Sequence, residues 1–410
     1  MSKRISVDNI IFLSNKLNIR AGGPCGYIAN LKQGLENNNI NNVVIISDER
    51  TEQQKKQKKK IAKLLTFFIP IKRSRHWARK KVLSWFGYTN DDILNTSDEL
   101  DRYYISRLNK YNFKTITCHT IRDVIKIKRY INERKINAKI IQMEHSPTLG
   151  SRELYDKLCA DGVENISQIM APWYAIEKRA FEASDILLAP SRESLDCHFK
   201  DAEWFADMFK NKRVEYLPTG CQALSVHQDK KSIRSKFGIK TKYVISFIGR
   251  HIAIKGYDIL QEIAKQILAI NPDVTFLIGG SQSNTIPCLL HDRWIEAGIV
   301  NPSEVLSISD AFILPNRETY FDLVLLEVMS MGVPVFASET GGNKSVYDAT
   351  DAIVLYKNEQ DCVEKLSEFL SMNTRERKQI SEKTITAYKN NYTLDIFAVG
   401  YSKLIAKVTQ

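Results

Sequence analysis

The sequence predicts an α/β protein built of two units, and three observations carry that expectation. Apolar runs of strand length alternate with amphipathic stretches along most of the 410 residues, 43% of which are hydrophobic, enough for two ordinary cores. The N-terminal region opens as strand, glycine-rich loop, helix and strand, the start of a Rossmann-like unit. A second strand running into a glycine loop begins at Phe247.

Taken in order, residues 5–14 read as the first strand. Gly22, Gly23 and Gly26 surround Pro24 and Cys25 ahead of residues 27–35, whose apolar spacing is helical, and residues 42–47 supply the next strand. Glycines at such a turn let backbone amides approach a ligand, which makes Gly22 and Gly23 candidate ligand contacts; a plain turn before a helix explains them equally well. Further strands are expected at 115–119, 138–145, 184–190 and 214–218, with helical pieces between them, among them 175–183. A polar, lysine-rich stretch around 225–232 marks a linker. The expected division is a first domain over 1–222, a linker over 223–239, a second domain over 240–388 and an amphipathic tail over 389–410.

The chemistry is densest in the second domain. Residues 247–256, FIGRHIAIKG, read as a buried strand that delivers Arg250 and Lys255 into one loop. Some seventy residues later Glu327 sits on an apolar helix that closes at Gly332 and Pro334. Two fixed cations can neutralise a diphosphate, and a helix carboxylate can accept both hydroxyls of a ribose. Together they describe a nucleoside-diphosphate site.

The blocks FIGRHIAIKG, NPDVTFLIGG, SISDAFILPNRETYFDLVLLEVMSMGVPVFAS and ETGGNKSVYD stand in the order and spacing of the donor half of GT-B glycosyltransferases, and the chain most resembles glycosyltransferase family 4. SDILLAPS and YLPTG are similar to strand ends of that family's acceptor-side domain. The resemblance implies a GT-B fold: two Rossmann-like domains facing each other across a cleft, with a C-terminal helix crossing back to the first. It further implies retaining, metal-independent transfer, with Arg250 and Lys255 on the leaving diphosphate, Glu327 on the ribose, and the base in a pocket near Ile299. His145 matches a strand-end imidazole near the reacting sugar, with a core histidine as the alternative; His119 matches an earlier strand-end histidine that supports the cleft, or is simply core.

Two departures stand out. The first acid of the family's Glu-x7-Glu motif falls on Thr319, with Glu318 one position before it, so either Thr319 or Glu318 takes that catalytic place. Tyr320, Phe321 and Asp322 replace Gly-Phe-Gly in the donor-binding turn; Asp322 either caps the following helix or touches a donor-sugar hydroxyl. The loop 339–344, with Gly341 and Gly342, is a further candidate for phosphate or sugar contacts, or an ordinary turn.

Charge is local. Nine lysines and three arginines fall between positions 55 and 81 without an acid, leaving 47 of the 59 basic residues against 47 acidic ones. This basic amphipathic insertion, 51–88, presents Lys58, Lys59, Lys60, Arg73, Arg75, Trp77, Arg79, Lys80, Lys81 and Trp85 to an anionic bilayer or acceptor. A solvated insertion is the plainer reading; nucleic acid as the partner is not expected. No 18-residue apolar segment and no signal peptide are read, so the expected location is cytoplasmic, peripheral on the inner face of the membrane. Seven scattered cysteines, without metal-ligand spacing, suggest reduced thiols and no structural zinc.

The expected activity is transfer of a hexosyl unit from a nucleoside-diphosphate sugar, a UDP-sugar ahead of a GDP-sugar, to a hydroxyl of a bacterial surface glycan or lipid-linked intermediate, with no cofactor. The alternatives are a non-catalytic GT-B subunit that scaffolds a partner transferase at the membrane, and a GT-B-like sugar-nucleotide epimerase.

Overall fold

The computed structural model describes residues 4–17, 23–50, 99–160, 162–282 and 286–410. Gly22 and the basic stretch from Lys58 to Trp85 lie outside the described residues. The first domain is a six-stranded sheet of β1 (Ile5–Phe12), β2 (Val43–Ile46), β3 (Tyr111–Cys118), β4 (Lys139–Met143), β5 (Ile186–Ala189) and β6 (Arg213–Tyr216), in the order β2-β1-β3-β4-β5-β6. The second comprises β7 (Tyr243–Ile248), β8 (Val274–Gly279), β9 (Trp294–Gly298), β10 (Ala311–Leu314), β11 (Val335–Ser338) and β12 (Val354–Tyr356), in the order β12-β11-β10-β7-β8-β9. Every neighbouring pair is parallel.

Parallel strands are covered by helices on both faces and therefore read as unbroken apolar runs. β8 and β10 are buried at every residue. In each sheet the strand order reverses once, between β1 and β3 and between β7 and β10. At such a point the loops leaving the carboxyl ends diverge to opposite faces and open a crevice.

Two stretches differ from the sequence reading. The first helix is Gly23–Asn37, starting four residues before the apolar spacing does, because Pro24 suits a first helical turn, where no amide partner is needed. Within 223–239, Lys230–Lys236 is a helix capped by Asp229, which accepts from the amides of Lys231 and Ser232 at 3.0 and 3.2 Å. Its one apolar anchor, Ile233, is fully buried with Ile239 and Val244 against the second sheet. A single isoleucine among lysines and serines gives too little periodicity to reveal it.

After Thr374–Asn391 the chain crosses back, and Leu394–Thr409 packs on Gly23–Asn37. The helices meet closely at Gly34, where an added Cβ would overlap the Leu394 carbonyl and lie 2.8 Å from the Ala398 Cβ. Phe397, Tyr401 and Ile405 complete the core formed by Tyr27, Leu31 and β1. At its centre Asn9 donates to Thr115 and Thr117 at 2.8 and 3.0 Å, while the Tyr401 hydroxyl donates to Asn9 Oδ1 at 3.0 Å and meets Thr117 Oγ1 at 2.8 Å. Among the described residues no helix is long and apolar enough to cross a membrane.

Tyr401→Phe removes a buried hydroxyl from this network and leaves Asn9 Oδ1 only the longer bond from the Thr117 hydroxyl at 3.4 Å. We expect a loss of about 1–3 kcal/mol in unfolding free energy by urea titration. Asn9→Ala combined with it should cost less than the sum of the two single losses, because both break one network; strict additivity would show that the contacts are independent.

Candidate functional site

The two reversal points face each other across a cleft of about 640 Å³. The first domain contributes Gly23, Pro24 and Tyr27 beyond β1, His119 beyond β3, and Glu144 and His145 beyond β4. The second contributes Arg250 and Lys255 beyond β7, and Tyr320, Phe321 and Asp322 beyond β10.

On the second-domain side the loop after β7 ends in a 3-10 turn, Ala253–Lys255, and Gly256 at φ +67°. A Cβ on Gly256 would overlap the Pro315 carbonyl, so the loops after β7 and β10 can press together only with glycine there. That contact delivers Lys255 to Asp322: Nζ lies 2.6 and 2.7 Å from its two oxygens, and Asn316 Nδ2 donates to it at 2.8 Å. Burial pushes the Asp322 carboxyl up, but the Lys255 charge, with hydrogen bonds from Lys255 and Asn316, holds it below the usual carboxylate range. Asp322 occupies the N-cap position of Leu323–Ser330, yet its side chain makes no capping bond. The capping alternative is thus replaced by an ion pair, the stronger of the two attractions for a partly buried carboxylate. Arg250 is exposed on the cleft wall.

The other donor-side candidates are placed unevenly. Tyr320 and Phe321 stand on the wall, but neither Thr319 nor Glu318 does. Thr319 is fully buried beneath the Gly341 turn, whose Gly342 amide donates to its carbonyl at 3.3 Å. Glu318 points to Lys200 of the first domain, 4.0 Å away. Gly341 and Gly342 pack against the backbone of residues 319–321, away from the wall. Ile299 is 82% exposed and also off the wall. Glu327, on Leu323–Ser330, is not on the wall either; burial pushes its carboxyl up to about 7, and its side chain has no hydrogen-bond or ion-pair partner among the described residues.

On the first-domain side His119 Nδ1 and His145 Nε2 are 2.8 Å apart, and the ring of Tyr27 packs on both. Burial lowers His119 to about 3; burial and then the neighbouring His119 hold His145 well below its ordinary range, so both rings are neutral. Sequence reasoning missed two carboxylates on this wall. Glu144 accepts from Gln142 Nε2 at 2.7 Å; burial, opposed by that bond and reinforced by Glu177, pushes it up to about 7. Glu177, 1% exposed, accepts from the Ser151 amide at 3.2 Å and from its hydroxyl. The position of Glu144 directly before His145 at a strand end was the available signal. Among the described residues no group of three or more His, Cys, Asp or Glu side chains is arranged to hold a metal ion.

Glu327 makes stability depend on pH. Its folded pKa, about 7, lies above its ordinary value of 4.5, so the folded state binds the extra proton and stability falls as pH rises through that interval. Glu327→Gln should remove roughly 1–3 kcal/mol of that fall in urea titrations between pH 4.5 and 7.5. An unchanged pH slope would show that the carboxyl is already ionised at low pH.

Residues 242–372 match the family described as Glycosyl transferases group 1. Among curated relatives, a GDP-mannose-dependent monoacylated alpha-(1-6)-phosphatidylinositol monomannoside mannosyltransferase of Corynebacterium glutamicum is 31% identical over 38% of this chain and 45% of its own. The chain spans less than half the length of the curated relatives it matches, from 35% to 45% of the first three. Solved structures align over nearly the whole chain. The catalytic domain of starch synthase IV from Arabidopsis thaliana, bound to ADP and acarbose, has a TM-score of 0.67 at 14% identity, covering 100% of both chains. The Anabaena protein HepE in complex with UDP-glucose has a TM-score of 0.64 at 13% identity, covering 97% of this chain and 99% of that one. The chain has the GT-B fold, and its second domain is similar over residues 242–372 to the group 1 glycosyl transferases.

Proposed function

We propose that the protein is a retaining, metal-independent glycosyltransferase that moves a hexosyl unit from a nucleoside-diphosphate sugar, a UDP-sugar ahead of a GDP-sugar, to a hydroxyl of a bacterial surface glycan or lipid-linked intermediate. One observation carries the reading: Arg250 and Lys255 stand at the reversal point of the second sheet and face His145 at the end of β4 across one cleft. The glycosidic bond breaks toward the diphosphate, whose oxygen gains negative charge; cations fixed there lower the barrier because they bind the transition state more strongly than the ground state. Front-face substitution follows, with the leaving phosphate taking the acceptor's proton. Closure of the domains excludes water.

The donor must draw Lys255 away from Asp322. Once released, the Asp322 carboxylate and Asn316 stand beside the sugar, where they accept from and donate to its hydroxyls. Glu327 and the stretch near Ile299, which both lie off the cleft wall here, are the residues the family resemblance gives to the ribose and the base. The basic insertion over 51–88 holds the enzyme to the inner face of the cytoplasmic membrane, where a lipid-linked acceptor is presented. A scaffold without activity is the second reading, favoured by the same ion pair, since Asp322 neutralises the cation a donor needs.

Thermal unfolding with UDP, GDP, ADP and CMP at millimolar concentration separates these readings. We expect one nucleoside diphosphate to raise the melting temperature of the wild type and not of Lys255→Ala. Asp322→Asn should tighten that nucleotide roughly fivefold, the effect of relieving about 1 kcal/mol of competition for Lys255. A well-folded protein that responds to none of the four would support the scaffold.

A further inference from the structure

We propose that His119 is a positioning residue that fixes His145 as the Nδ1–H tautomer, so that His145 offers the cleft a neutral N–H donor. Counting protons on the two rings fixes the tautomers. A single proton lies between His119 Nδ1 and His145 Nε2, which are 2.8 Å apart. If His145 donated it, His119 would have to carry its own proton on Nε2. That atom is buried and has no partner, and the residue is only 3% exposed. A buried N–H without an acceptor costs more than a lone pair left unfilled, and orphaned donors are correspondingly the rarer of the two. His119 therefore carries its proton on Nδ1 and donates it to His145 Nε2. The remaining proton of the His145 ring is then on Nδ1.

The surroundings support neutral rings held in place. Tyr27 packs on both imidazoles with ring centroids 5.4 and 5.2 Å away, and it is backed by Phe397 of the terminal helix at 4.9 Å. The two imidazoles meet edge to edge, with centroids 5.1 Å apart and planes inclined by 27°, as a hydrogen bond lying near both ring planes requires. An N–H donor on a neutral ring suits a sugar hydroxyl or ring oxygen. What the N–H meets rests on the function proposed above; the tautomer itself does not.

The test is a two-bond 1H–15N correlation spectrum of the full-length protein labelled at histidine nitrogen, with the two rings assigned by His119→Asn and His145→Asn. Wild type should show both rings as neutral Nδ1–H tautomers from pH 5.5 to 8. His119→Asn, whose amide N–H still donates, should keep His145 in that form. His119→Asp, whose carboxylate accepts, should lose it and convert His145 to Nε2–H. A merely structural role for His119 would leave the His145 tautomer the same in both variants. An Nε2–H tautomer of His145 in the wild type, or an imidazolium at pH 7, would overturn the proposal; if the Asp variant does not fold, His119→Phe, which offers no donor, takes its place, and an unchanged single Nδ1–H tautomer of His145 there would overturn it. Correct tautomers in a protein that no nucleotide stabilises would sink the transferase reading and leave this one standing.

Discussion

The docking of the last helix on the first sheet is the interaction that makes one cleft out of two domains. Leu394–Thr409 leaves the second domain and places Tyr401 inside the first, against Asn9 and Thr117. A buried polar network whose members are mutually satisfied favours one arrangement of its elements, because any slip leaves several groups unpaired at once. Gly34 lets the two backbones approach closely enough for the network to form. Phe397, on the same helix, then backs Tyr27, which backs the histidines. Nearer the site, Lys344 and Asp196 pair across the domains at 2.6 Å.

With the domains so held, the site inherits its character from two strand-order reversals. Each places loops from the carboxyl ends of adjacent strands side by side, and the fold turns the two sets toward each other. The second domain brings cations, one of them held by Asp322; the first brings neutral imidazoles and the buried carboxylates Glu144 and Glu177. This polarity suits a reaction in which negative charge develops on one side and hydroxyls are handled on the other. Asp322 is the unusual element. It keeps Lys255 neutralised, while Arg250 stays exposed on the same wall.

Much of this was legible in the sequence because parallel strands announce themselves. Buried on both faces, segment 311–314 is apolar throughout and 274–279 is interrupted only by Thr275, and the glycines and cations after β7 follow directly. Contacts between distant residues were not legible. Lys255 and Asp322 are 67 positions apart, and nothing in either segment says that the pair will close. The choice between Glu318 and Thr319 could not be made because it depends on backbone direction at the end of β10, which takes both away from the cleft wall. Glu144 was hidden by its neighbour, since a histidine at a strand end draws the reading to itself. The helix over Lys230–Lys236 escaped because one buried isoleucine is not a period.

The central claim is that a nucleoside diphosphate binds at the reversal point of the second sheet by taking Lys255 from Asp322. A crystal structure of the protein grown with the stabilising nucleotide tests it most directly. The account predicts phosphate oxygens within hydrogen-bond distance of Lys255 Nζ and the Arg250 guanidinium, with the Lys255–Asp322 contact opened. A nucleotide bound elsewhere, with Lys255 still closed on Asp322, would contradict it.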